Sequence, residues 1–158
     1  LILVEISEYA LYSIQSELEN LKNSSIEIIS IIASIQDIKR MNEILSIFKP
    51  ATIYHAAAYK HVPIVEHNLI EGLKNNFIGT FELAKLAVKN EVSNFVFIST
   101  DKAVRPTNIM GTTKRLAELC LQALNDNFIN KETQKTKFAI VRFGNVLDSS
   151  GSVIPKFR

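Results

Sequence analysis

No apolar run in the sequence reaches the roughly 18 residues needed to cross a bilayer. The longest, Ile26 to Ile35, is interrupted by Glu27, Ser30 and Ser34, so these residues are not expected to enter a membrane. Cys120 is the single cysteine, which excludes an internal disulfide. It sits among apolar residues in a helical pattern, without metal-ligand spacing around it, and is read as a core thiol of a reducing, cytoplasmic compartment with no metal site. An excess of one charge is also missing. Eighteen basic residues against sixteen acidic leave a formal charge of +2, and the signs are interspersed, so nucleic acid is not an expected partner. The last absence is a glycine-rich turn of the kind that cradles a pyrophosphate.

What is present is the composition of a globular domain, 47% hydrophobic and 22% charged, enough for one α/β unit. Five β-branched apolar runs predict strands at Leu1 to Val4, Ile26 to Ile32, Thr52 to Tyr54, Phe95 to Ile98 and Phe138 to Val141. Helical patterns lie between them. Leu11, Ile14, Leu18 and Leu21 recur at spacings of three and four behind Ser7 as a cap. Ile38, Met41, Leu45 and Phe48 do so behind Asp37, with Pro50 as a stop. Longer helices are expected over about Leu69 to Lys89 and Asn108 to Asn127. Near-continuous hydrophobic strands alternating with helices predict a doubly wound, Rossmann-like parallel sheet covered on both faces.

Such sheets bind a dinucleotide where the strand order reverses, with an acidic residue about 20 residues past the glycine-rich turn. The chain opens on Leu1-Ile2-Leu3-Val4-Glu5, and Glu5 is placed where that acidic residue holds the adenosine ribose. The alternative is a carboxylate that merely ends a strand in solvent. The numbered chain is therefore expected to start at the second strand of the fold, with its first strand and glycine-rich turn upstream. That first strand would lie between Leu1 to Val4 and Thr52 to Tyr54. Asp37, after the second run, is a further candidate for the cofactor as well as a cap. His55-Ala56-Ala57-Ala58 follows the third run, and small side chains there would let a cofactor lie against the backbone. Lys60 and His61 come next, either beside the cleft or as ordinary surface residues, the latter being the better reading for His61.

Ser99-Thr100-Asp101-Lys102 follows the fourth run, and Met110 and Lys114 come next at positions sharing one helix face. A carboxyl and two ammonium groups converging there would serve acid–base chemistry, or would form a capping loop with solvated charges.

Ser99, Met110 and Lys114 resemble the Ser, Tyr and Lys set of the extended short-chain dehydrogenases/reductases, with methionine in place of tyrosine. The stretches HAAAYKHVP, NNFIGT, FVFISTDKAVRPTNIMGTTKRLAE and VRFGNVLDSSGSVIPKFR resemble one branch of that family, the nucleotide-sugar 4,6-dehydratases of capsular-polysaccharide and flagellin glycosylation. The resemblance implies NAD or NADP as cofactor and UDP-N-acetylglucosamine or a related nucleotide sugar as substrate. Hydride leaves C4, the 4-ketone acidifies the C5 hydrogen, water leaves across C5 and C6, and hydride returns to C6.

By the same resemblance Thr100 orients the sugar, Asp101 protonates the departing 6-hydroxyl and Lys102 removes the C5 proton. Those roles demand a carboxyl kept protonated and a lysine partly neutral near pH 7. Lys114 resembles the lysine that holds the nicotinamide ribose, with Ser99 beside it. Met110 at the tyrosine position can neither give nor take a proton, which leaves the base for C4 oxidation to Lys102, Lys114 or a water between them. Asn76 resembles the asparagine that braces the active-site lysine, or it satisfies a neighbouring backbone group. Lys60, Arg142, Asn145 and Ser152 are placed toward the sugar and diphosphate. Asp148 stands where glycine is usual and is not assigned as a ligand.

Two other readings remain: a 4-epimerase on the same scaffold, which needs no acid and base at C5 and C6, and a non-catalytic cofactor-binding regulator, for which Met110 argues. The resemblance further implies a homo-oligomer and a sugar-binding region past Arg158. Methionine-type relatives add an upstream anchor on the cytoplasmic face of the inner membrane.

Overall fold

In the computed structural model, which describes residues 1–21, 26–129 and 136–146, strands and helices alternate as the hydrophobic pattern dictates. Strand β1 (Ile2–Glu5) leads into α1 (Glu8–Asn20), where the Ser7 hydroxyl accepts from the Ala10 amide at 3.3 Å. Strand β2 (Ile29–Ile32) leads into α2 (Ile38–Phe48), capped by Asp37, whose Oδ1 accepts from the Arg40 amide at 3.0 Å. Lys49, with φ 42°, turns the chain out of α2 in the left-handed conformation, and Pro50 prevents its continuation.

Strand β3 (Thr52–His55) precedes α3 (Val62–His67), a short helix with Pro63 in its first turn that the sequence pattern does not anticipate. The expected helix over Leu69 to Lys89 is helical throughout but changes winding. It runs as α4 (Leu69–Leu73), a π-helical turn (Lys74–Gly79) and α5 (Thr80–Lys89). Strand β4 (Asn94–Thr100), a 3₁₀ turn (Asp101–Ala103), α6 (Ile109–Ile129) and β5 (Lys137–Phe143) follow. The strand expected over Ile26 to Ile32 shortens to Ile29–Ile32. Its parallel register with β1 runs from Ile2 opposite Ile29 to Glu5 opposite Ile32, which uses all of β1.

All strand pairs are parallel, and the order is β2-β1 in one ladder and β3-β4-β5 in another. Among the described residues the two ladders do not join into one sheet, because β1 and β3 do not hydrogen-bond. One hydrophobic cluster nevertheless spans both ladders. Phe95 and Phe97 of β4, fully buried, pack with Met41, Ile44 and Leu45 of α2, Leu83, Ala84 and Ala87 of α5, and Ala117 and Leu121 of α6, while Val4 of β1 and Ile31 of β2 lean against them. Losing either phenylalanine ring would cost about 3–5 kcal/mol. The buried stripe of α6 is Met110, Thr113, Lys114, Ala117, Glu118 and Leu121. Cys120 falls one step off that stripe and is only half-buried, so it flanks the core it was expected to fill. No helix among the described residues is long and apolar enough to cross a membrane.

Candidate functional site

Parallel strands aim their carboxyl ends at one rim of the sheet, and there the end of β4 meets the start of α6 and the end of β5. The Thr100 hydroxyl donates to Asp101 Oδ1 at 2.9 Å and accepts from the Lys102 amide at 3.3 Å, which closes the 3₁₀ turn. Lys102 Nζ donates to Asp101 Oδ1 at 3.1 Å and to Asn145 Oδ1 at 3.2 Å. Asp101 and Lys102 expose 55% and 37% of their side chains, so the pair is open to a ligand. The hydrogen bonds from Lys102 and then Thr100 hold the Asp101 carboxyl below the usual carboxylate range. In this open arrangement Asp101 is paired with Lys102, whereas the expected role asks for a protonated carboxyl in a closed, dry site.

The turn sits against α6 because residue 111 is glycine. A Cβ on Gly111 would fall 2.2 Å from the Lys102 carbonyl oxygen and 3.0 Å from its carbon. The helix start is pinned from two sides. Asn108 Oδ1 accepts from the Gly111 amide at 2.7 Å, and Glu66 Oε1 of α3 accepts from the Ile109 amide at 2.7 Å.

Lys114 and Met110 share the buried face of α6, as their spacing predicts. The Lys114 ammonium donates to the Ile98 carbonyl at 2.9 Å and lies 4.4 Å from the centre of the Phe97 ring. Burial pushes it down from 10.5 to about 8, against the opposing charge of Glu118. Met110 is buried and offers only its carbonyl, which accepts from the Thr113 hydroxyl at 2.8 Å.

Beneath these groups lies a carboxylate that sequence reasoning missed. Glu118 is fully buried. It accepts from Ser99 Oγ at 2.7 Å, from Arg115 Nη1 at 2.9 Å, and from Arg142 through Nε at 2.8 Å and Nη2 at 2.6 Å. Although burial opposes the charge, the bonds from Arg142, Ser99 and Arg115 carry its pKa down from 4.5 to about 2. Ser99 and Arg142, expected to face cofactor and sugar, thus spend their polar atoms on Glu118, although Arg142 keeps 39% of its side chain exposed.

Asn76 is saturated. Its Oδ1 accepts from the Tyr59 amide at 2.7 Å and from Asn75 Nδ2 at 3.3 Å, while its Nδ2 donates to the Tyr59 carbonyl at 2.9 Å and the Thr113 hydroxyl at 3.2 Å. It clamps the loop after β3 to α6 next to Lys114. His55 is part of the same scaffold. The Thr80 hydroxyl donates to the Asn76 carbonyl at 2.9 Å, so its other contact, 2.8 Å to His55 Nε2, has the imidazole as donor. Burial, then the Lys114 charge, pushes His55 from 6.5 to about 3, and the ring is a neutral clasp between β3 and α5.

A groove of about 840 Å³ separates β1 from β3. Ile2, Val4, Leu45, Ile53 and Tyr54 line it, and at the carboxyl ends of the strands it is bounded by Glu5, Ala56, Ala57 and Ala58. Glu5 Oε1 accepts from the amides of Ile6 and Ser7 at 2.9 and 3.0 Å, within its own turn. Asp37 is exposed and occupied as a cap. Lys60 and His61 are exposed, the latter at the start of α3 without a capping bond from its side chain. Ser152 and Asp148 lie outside the described residues. No cluster able to hold a metal ion occurs among the described residues.

The family model described as polysaccharide biosynthesis protein matches residues 1–158. The chain is 49% identical over its whole length to the capsular polysaccharide biosynthesis protein CapD of Staphylococcus aureus, of which it covers 26%. It is 41% identical over 106 residues, 67% of the chain, to the inverting UDP-N-acetylglucosamine 4,6-dehydratase of Campylobacter jejuni, of which it covers 31%. Among solved structures, Pen from Bacillus thuringiensis superposes with a TM-score of 0.87 at 33% identity, over 99% of this chain and 46% of that one. The chain thus spans about a third or less of the length of these curated relatives. The parallel Rossmann-like architecture and these matches agree, and the chain belongs to the polysaccharide biosynthesis branch of the extended short-chain dehydrogenase/reductase family, among nucleotide-sugar dehydratases and epimerases.

Proposed function

We propose that the protein containing this chain is a nucleotide-sugar 4,6-dehydratase acting on UDP-N-acetylglucosamine with NAD or NADP. The observation that carries this reading is the bonded set Thr100, Asp101, Lys102 and Asn145 at the open rim of the sheet. An epimerase moves hydride only at C4 and has no work for an acid and a base at C5 and C6.

The residues present fit a dinucleotide. Glu5 has a second carboxylate oxygen for a ribose hydroxyl, and Ala56 to Ala58 offer a floor without side-chain bulk. Held there, NAD or NADP would supply the acceptor for the C4 hydride and its return to C6. Burial brings the Lys114 ammonium closer to deprotonation, to about 8. That suits it to receive the C4 hydroxyl proton that Met110 cannot take. Lys102 removes the C5 proton, and Asp101 delivers a proton to the leaving 6-hydroxyl. Because Asp101 and Lys102 begin as an ion pair, a proton must pass from ammonium to carboxylate along their hydrogen bond as the site closes and dries. Desolvation favours that direction, since it disfavours both charges. The apolar groove between β1 and β3 is the seat of a further strand that would join the two ladders, and the whole protein is a homo-oligomer of the cytoplasm.

The test is the full-length protein with UDP-N-acetylglucosamine, its products read by mass and NMR. A UDP 4-keto-6-deoxy sugar with loss of water is expected. A C4 epimer, or unchanged substrate in a cofactor-loaded protein, would overturn the reading.

A further inference from the structure

Glu118 lies four residues beyond Lys114 on α6, so the two side chains share the buried face of one helix. Its carboxylate gathers a hydroxyl from β4, a guanidinium from its own helix and a two-pronged guanidinium from β5. A fully buried carboxylate with every near partner a donor is costly to remove and rigid while it stays. Three residues beyond Arg142 on the same chain segment, Asn145 accepts the bond from Lys102. Where Glu118 holds Arg142 therefore fixes where Asn145 meets Lys102.

We propose that Glu118 is the positioning residue of this site: it sets the charge state of Lys114 one helical turn away and the register at which β5 delivers Asn145 to Lys102. Lys114 and Lys102 being the working amines is the only part that rests on the function proposed above. Glu118, on the same helix, bears on Lys114 by its charge, His55 of β3 feels the Lys114 charge, and Arg115 and Arg142 enter this cluster through their bonds to Glu118. Asp101 and Lys102 lie on the 3₁₀ turn whose carbonyl abuts Gly111. Among these Glu118 is the buried anion. Its charge favours the Lys114 ammonium, and the two guanidiniums it binds moderate that pull.

Removing either side of the clamp must therefore move Lys114 in opposite directions. In the full-length protein labelled with carbon-13 at lysine Cε, the Lys114 resonance is identified with Lys114→Arg and titrated in the absence of sugar. Glu118→Gln keeps the shape and loses the charge, and the Lys114 midpoint should fall by on the order of one pH unit. Arg142→Gln leaves the carboxylate less neutralised, and the midpoint should rise. Should Glu118→Gln not fold, the rise in Arg142→Gln decides alone. With UDP-N-acetylglucosamine, Glu118→Gln should lose about a hundredfold in turnover with KM within about threefold of wild type. An unmoved midpoint in Glu118→Gln, or a midpoint that does not rise in Arg142→Gln, overturns the proposal. Midpoints that move as stated in a protein forming no 4-keto-6-deoxy sugar would overturn the reaction and leave the role of Glu118 standing.

Discussion

Asp101 and Glu118 both bond to groups at the end of β4, yet Asp101 exposes 55% of its side chain and Glu118 none. Their cationic partners are equally open, Lys102 at 37% and Arg142 at 39%, but they hold their carboxylates differently. Lys102 reaches across an open turn, whereas Arg142 grips Glu118 with two short bonds. An open ion pair contributes little to stability and remains free to exchange its partner for a substrate. A sealed one is structural, because breaking it strands a charge away from water. The rim thus separates labour: one carboxylate can work because the other does not move.

The strongest way to break that contrast is Glu118→Ala, which leaves Arg142 and Arg115 without their anion and opens a void against Ser99. The arginines left behind reach water, so the loss is that of the charged hydrogen bonds, about 2–3 kcal/mol in urea unfolding. Asp101→Asn should leave the unfolding midpoint unchanged and slow product formation by about 10²- to 10⁴-fold. If the two variants exchanged these phenotypes, the division would be reversed.

Gly111→Ala probes the contact between the two regions. Its Cβ would press on the Lys102 carbonyl, a backbone atom that cannot swing away. Displacement of the turn should cost about 1–3 kcal/mol in stability and lower turnover about a hundredfold, with cofactor affinity little changed.

Acid titration sharpens the comparison further. The Glu118 pKa is depressed from 4.5 to about 2, so its contribution is full above pH 4.5 and is lost as pH falls through 2. The upper bound is about 3 kcal/mol, reduced by screening through half-exposed Arg142. His55, depressed from 6.5 to about 3, loses its share between those values, because the unfolded chain takes up a proton that the buried ring refuses. Stability measured against pH should fall in these two windows, and Glu118→Gln should flatten the lower one.

The smallest effect is expected at Glu5, where Oε1 already serves two amides of its own turn. In the full-length protein, Glu5→Ala should narrow a preference for NAD over NADP. Tighter binding of NADP by the wild type, unchanged by the substitution, would remove Glu5 from the cofactor site.

The open half of the rim was legible in the sequence because local rules govern it. Strand β4 runs two residues past its apolar run and ends at Thr100, Asp101 and Lys102 follow on the next turn, and helical spacing alone puts Met110 and Lys114 on one face. The Ser7 and Asp37 caps were readable for the same reason. The sealed half was not, because a glutamate within Arg115-Leu116-Ala117-Glu118 reads as a solvated charge unless its partners are known. Its spacing from Lys114 and Met110 was the available signal, since it extends their stripe. Ser99 and Arg142 were placed at the correct end of their strands, but only tertiary packing shows that they turn toward α6. The π-helical winding at Lys74–Gly79 depends on the bonds of Asn75 and Asn76 to other elements, which no local pattern carries. Strand β2 is short because its length is set by β1, not by its own apolar run.

The most direct test separates the two halves of the reaction in full-length Lys102→Ala. On adding UDP-N-acetylglucosamine, absorbance should show the bound cofactor reduced as in the wild type, while incorporation of solvent deuterium at C5 and release of 4-keto-6-deoxy sugar are lost. Failure of cofactor reduction in a variant that binds substrate normally would contradict this, and would make Lys102 the base for C4 oxidation in place of Lys114.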